Sequence, residues 1–133
     1  MRYLLDADTF SVIARQTSTT AAARLAQLES GSVALSVITR AEIAFGLARH
    51  PVSAQLITRI ERLQQVLPTL HLLETVVEHY AQTRAHLERK GTPIGPNDNW
   101  LAAHALSLDL TVVTGNTREF KRVPGLRVEN WIR

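Results

Sequence analysis

The sequence contains no cysteine. That excludes disulfides and thiolate metal sites, and it suits a reducing compartment. No apolar run reaches the roughly 18 residues that a membrane-spanning helix needs. The chain also opens without the charged, apolar and small-residue regions of a leader, so it is expected to be soluble and cytoplasmic. The six glycines are scattered, and no glycine-rich phosphate loop can be drawn from them. Five histidines, at positions 50, 71, 79, 86 and 104, lack the HxxxH or HxH spacing, with matching acids, that zinc would need. His79 and His86 read as polar residues on one helix face, and His104, in an alanine-rich stretch, reads as a satisfied core or semi-buried residue. Ser11, Ser36 and Ser107 have no GxSxG context and no evident base, so serine hydrolysis is unsupported.

What is present is a chain of 133 residues, 45% of them hydrophobic. One domain spanning 1–133 is expected, burying roughly two thirds of its unfolded surface. The net charge is +3, and thirteen of the fifteen basic residues are Arg. Arginine suits bidentate phosphate contact and stacking on bases. A coding preference for Arg over Lys produces the same count, and +3 alone is a weak signal for nucleic acid.

Apolar runs and helical periodicities alternate along the chain. Strands are expected at Arg2–Leu5, Val33–Val37, Leu70–Leu73, Leu110–Thr114 and Leu126–Trp131. Between them lie helical segments: one capped by Asp8 or Thr9 and ending near Arg15, then Thr20–Glu29, and one opened by Thr39 and ending near Arg49. Ser53–Gln65, Thr75–Lys90, Asn97–Leu108 and a short turn over Thr117–Lys121 follow. The stripe Leu56/Ile60/Leu63 is expected to face the core, with an uncovered surface as the alternative. Alternation of this kind gives an α/β fold with a central parallel sheet of four to five strands and helices on both faces. Ligands of such folds bind beyond the carboxyl ends of the strands.

Acids fall at those ends. Asp6 closes the first strand, Glu42 follows the second, Asp98 opens the helix before the fourth, and Asn116 and Glu119 follow the fourth. Carboxylates about 5 Å apart repel by roughly 3 kcal/mol per pair at an effective dielectric near 20. Such a cluster calls for a cation, and Mg²⁺ or Mn²⁺ is the natural one for carboxylate oxygens. Each acid also has a plainer role open to it. Glu42 completes Thr39-Arg40-Ala41-Glu42, an S/T-x-x-E capping box. Asp98 suits a helix N-terminus, and Asp109 reads as a turn residue. Asp6 resists the plain account, since a lone buried carboxylate is costly.

Three blocks carry a resemblance: YLLDAD, SVITRAEIAFGLAR, and GTPIGPNDNWLAAHALSLDLTVVTGNTREFKRVPGLRVENW. Together, and in order across essentially the whole chain, they resemble the VapC toxins, PIN-domain ribonucleases of type II toxin–antitoxin systems. The resemblance is greatest to the branch described as tRNA(fMet)-specific endonucleases, which cut initiator tRNA in the anticodon stem-loop. It implies a PIN-like fold and a catalytic Mg²⁺, with Mn²⁺ as a possible substitute, held by the residues matching the family's acids: Asp6, Glu42 and Asp98. A fourth acidic family position falls in TGNTREF, where this chain offers Asn116 nearest the strand and Glu119 beyond it. Thr114 matches a polar family position. Asp6 is followed by Ala7 and Asp8, where the family reads Asp-Thr-Asn or similar; Asp8 either caps the helix or joins the metal site. The resemblance further implies a cognate VapB-type antitoxin whose tail lies in the toxin groove, and a homodimer.

The expected activity is therefore metal-dependent hydrolysis of RNA phosphodiester bonds, with initiator tRNA the target the resemblance implies and Arg118, Lys121 and Arg122 as candidate RNA contacts. Two alternatives stand beside it. Ala7 and Asn116 would fit a catalytically weakened PIN-like module that binds RNA or a partner. A DNA-directed nuclease of related fold is the other, although the short chain lacks the helical arch of that class.

Overall fold

Short apolar runs with side chains buried on both faces satisfy their backbone only as inner strands of a covered parallel sheet. The structure, a computed structural model that describes residues 1–133, has three such inner strands, flanked by two short, partly buried edge strands. They are β1 (Tyr3–Leu5), β2 (Val33–Ser36), β3 (Thr69–Leu70), β4 (Thr111–Val113) and β5 (Val128–Glu129). All neighbours pair in parallel, in the order β3-β2-β1-β4-β5, so β1 occupies the centre.

The helices are α1 (Ala7–Arg15), α2 (Thr19–Gln27), α3 (Val37–Arg49), α4 (Ala54–Val66), α5 (Thr75–Arg89), α6 (Pro96–Leu108) and the single turn α7 (Thr117–Phe120). Strand alternation sorts the core into two layers. Tyr3, Leu5, Val33, Leu35 and Val113 meet Phe10, Ile13, Leu56, Ile60 and Trp131 on one face. Leu4, Ala34 and Val112 meet Leu87, Leu101, Ala102, Ala105 and Phe120 on the other. Leu56 and Ile60 are buried and Leu63 packs against the same cluster, so the α4 stripe is core. Each buried side chain the size of Phe10 contributes about 1.5–3 kcal/mol.

Four local expectations change. Ser36, not Thr39, caps α3: its Oγ accepts from the Ile38 N–H at 3.0 Å. Thr39 lies inside the helix and donates instead to the Leu5 carbonyl at 3.1 Å, so no capping box forms and Glu42 sits beyond the first turn. Asp6, not Asp8 or Thr9, caps α1. The third strand is Thr69–Leu70 rather than 70–73, because it pairs only with the last residues of β2 before the chain turns toward α5.

Candidate active site

Asp6 follows β1 at the centre of the sheet, where its extended backbone lets Oδ1 accept the Thr9 N–H at 2.8 Å. Thr9 is itself fixed, fully buried and donating to the Val113 carbonyl at 3.3 Å. The Thr114 hydroxyl accepts the Asn116 N–H at 2.9 Å and turns its own hydrogen to the Asp6 carboxylate. Asp6 is only 7% exposed. Burial raises its pKa, while the bonds from Thr114 and Thr9 oppose the rise.

Asp98 stands in the first turn of α6, which opens on Gly95 and Pro96 with no side-chain cap. The N-terminal peptide N–H groups favour a carboxylate there. Even so, burial pushes the Asp98 pKa up to about 6, with further contributions from the charges of Glu42, Glu119, Asp6 and Asp8. Glu42, half-buried on α3, is also raised by burial; the Asn97 side chain bonds its carboxylate and opposes that, while Asp6 and Asp8 add to it.

Asp6, Asp8, Glu42, Asp98 and Glu119 thus share one electrostatic neighbourhood at the carboxyl edge of the sheet. No basic side chain neutralises it. The ion pairs of the chain, Arg24–Glu129, Arg84–Glu88 and Arg127–Asp109, involve none of these acids. No three of the His, Asp and Glu side chains already stand in coordinating geometry, so the acids face one another without forming a finished cage. Every donor there is a hard oxygen, the donor set that suits Mg²⁺ and Mn²⁺.

The remaining residues named from the sequence divide around this edge. Asn116 donates from Nδ2 to Glu119 Oε2 at 2.9 Å, so the two form one unit rather than alternatives. Asp8 is exposed and lines a cleft of about 290 Å³ with Glu42, Phe10, Ser11, Ile43 and Leu47. Arg118 and Lys121 are exposed and unpaired, whereas Arg122 donates to the Pro93 carbonyl at 3.1 Å. Asp109 is a turn residue: it ends α6 at φ 56° and is clamped by Arg127 at 2.9 Å. Thr9 and Asn97, the partners of Asp6 and Glu42, are site residues that no motif in the sequence marks. Thr9 follows Asp6 by three residues, the spacing of a helix cap, and that was the available signal. Asn97 carries none beyond its place next to Asp98.

Comparison with known proteins places this edge in context. A PIN domain model matches residues 3–126. The chain is 38% identical over 104 residues to the tRNA(fMet)-specific endonuclease VapC of Salmonella typhimurium, covering 78% of this chain and 79% of the relative. It is 33% identical over 132 residues to ribonuclease VapC1 of Haemophilus influenzae, covering 98% of each. Its structure superposes on a chain of VapBC2 from Rickettsia felis, solved bound to a DNA fragment from their promoter. That match has a TM-score of 0.90 and 30% identity, and it covers 98% of this chain and 99% of the other.

Proposed function

The chain belongs to the PIN-domain family and, within it, to the VapC ribonucleases, and on that premise we propose that Asp6, Glu42 and Asp98 hold a catalytic Mg²⁺ for cutting RNA. The observation that supports this most is the uncompensated carboxylate cluster, in which Asp98 is held up at about 6. The five acids come from four separate segments of the chain, and packing has brought them together at an energetic cost that a divalent cation relieves. When bound, the cation activates water and stabilises charge on the phosphodiester. Mn²⁺ meets the same donor set.

The chain's own residues supply placement. Thr9 and Thr114 orient the Asp6 carboxylate, Asn97 orients Glu42, and the first turn of α6 fixes Asp98. Asn116 holds Glu119 beside them. Arg118 and Lys121 are free to meet phosphates on the approach, and Arg122 borders the loop that leads into α6. An open edge of this kind suits a single-stranded loop, whose phosphates are accessible.

The substrate we assign is initiator tRNA, cut in the anticodon stem-loop; a relative of 38% identity carries the name tRNA(fMet)-specific endonuclease. The partner is a VapB-type antitoxin, as in the superposed VapBC assembly. Its tail would occupy the cleft between α1 and α3, where Phe10, Ile43 and Leu47 offer apolar contacts beside Asp8 and Glu42. The toxin is taken to pair as a homodimer and to work in the cytoplasm; no helix is long and apolar enough to cross a membrane.

Expression of the chain in bacteria, followed by sequencing of RNA 5′ ends, tests this reading. New ends should map to the initiator tRNA anticodon loop and vanish with Asp6→Asn. An RNA end profile identical with and without expression would overturn it.

A further inference from the structure

Ser36 and His104 meet in the interior, Ser36 Oγ lying 2.8 Å from His104 Nδ1, with the two residues 0% and 1% exposed. Ser36 ends β2 and caps α3, the helix that carries Glu42; His104 lies on α6, the helix that carries Asp98. Because Ser36 Oγ already accepts the Ile38 N–H, its own hydrogen is available to Nδ1. With the hydroxyl donating, the imidazole is neutral, the form that burial favours, and its hydrogen lies on Nε2. No group stands at hydrogen-bonding distance and geometry from that nitrogen, although the His71 backbone lies near enough to the ring to oppose the lowering of its pKa by burial.

This arrangement is expensive as packing. A buried donor without a full partner carries a desolvation penalty that an apolar side chain of similar size would avoid. At the mouth, Asn97 of α6 bonds Glu42 of α3. The two helices are therefore tied by polar links at two depths.

Resting on the function proposed above, we propose that Ser36 and His104 are a positioning pair, fixing α3 against α6 and thereby the separation of Glu42 from Asp98. Neither residue touches the acids. Their effect is on how well the carboxylates are pre-set for a cation.

Calorimetric titration of Mn²⁺ into the full chain tests this, using Ser36→Ala, His104→Leu, the double variant, and the conservative Ser36→Thr and His104→Asn. An Asn carboxamide can return an acceptor near the place of Nδ1. Ser36→Ala and His104→Leu should each weaken Mn²⁺ by about 10–100-fold. The double variant should be no worse than the weaker single, because the two act as one unit. Ser36→Thr and His104→Asn should stay within about threefold of wild type. His104→Leu exchanges one unpaired buried donor, Nε2–H, for another, the Ser36 hydroxyl, so it should melt close to wild type, and RNA cleavage in Mg²⁺ should lose kcat with KM unchanged. Undiminished Mn²⁺ affinity in folded Ser36→Ala would overturn the inference, whether or not His104→Leu folds. Absence of Mn²⁺ uptake by the wild type would overturn the proposed function, and the inference with it.

Discussion

The Thr9 N–H meets Asp6 Oδ1 at 2.8 Å, so the acid that closes β1 is also the N-cap of α1. On the proposed function one carboxylate does two jobs, cap and metal ligand, that mutation can separate. Asp6→Asn keeps an accepting oxygen for the cap and removes a charge that burial disfavours. Its melting temperature in EDTA should equal or exceed that of the wild type, while Mn²⁺ binding is lost. Asp6→Ala loses both, with about 0.5–2 kcal/mol of stability going with the cap. Thermal melts paired with Mn²⁺ calorimetry on both variants check this.

Asp98 gives a pH signature. Its pKa in the fold, about 6, lies above the ordinary 3.8, so the folded state binds this proton more tightly. Its stabilising effect is present at low pH and is lost as pH rises through about 6. Full enclosure would make the change roughly 3 kcal/mol; a half-buried, solvent-screened group warrants about 1 kcal/mol. Urea unfolding in EDTA should show wild type and Asp98→Asn converging near pH 4. The wild type should fall behind by that amount at pH 7. His104, whose pKa burial lowers, is common to both proteins and cancels. Millimolar Mn²⁺ should restore the wild type at pH 7 and leave the variant unchanged.

Asn116 and Glu119 offer a gain-of-binding test. Asn116→Asp replaces the amide that donates to Glu119 with a second carboxylate at about the same place. The metal-free protein should be destabilised by about 1–2 kcal/mol. Mn²⁺ affinity should rise, since the site gains an anionic oxygen. Calorimetry and melts in EDTA read the two effects separately.

The exposed cations should act on RNA alone. Arg118→Glu or Lys121→Glu should raise KM for an RNA stem-loop and reduce the salt-dependence slope by about one. Mn²⁺ affinity should not move. Arg122→Ala should also loosen the loop around Pro93, because it removes the bond to that carbonyl.

The legible part of this protein was its order of elements and its acids. Each strand is a short apolar run and each crossover a periodic helix, so a parallel sheet followed, and Asp6, Glu42 and Asp98 fell at its carboxyl edge. The family resemblance, visible in the blocks around those acids, is matched by the PIN domain model over residues 3–126. Capping was less legible. Thr39 and Ser36 are both good caps by type, and only the demand of the Leu5 carbonyl, far away in sequence, takes Thr39 out of contention. The same holds for Asn97 with Glu42 and for Ser36 with His104, whose partners are set by how α3 meets α6. His104 was read as satisfied, yet one ring nitrogen lacks a full partner, which no local pattern reveals. Asn116 and Glu119 appeared as rivals for one position because spacing cannot show that they bond each other.

The central claim is that Asp6, Glu42 and Asp98 hold the cation that makes this chain a ribonuclease. Single-turnover cleavage of an initiator tRNA anticodon stem-loop by the purified protein, in Mg²⁺ and in EDTA, tests it most directly. Wild type should cut in Mg²⁺ and stop in EDTA, and Asp98→Asn, folded by its melting curve, should be slower by at least about a hundredfold. Cleavage that persists in EDTA, or at the wild-type rate in Asp98→Asn, would contradict the account.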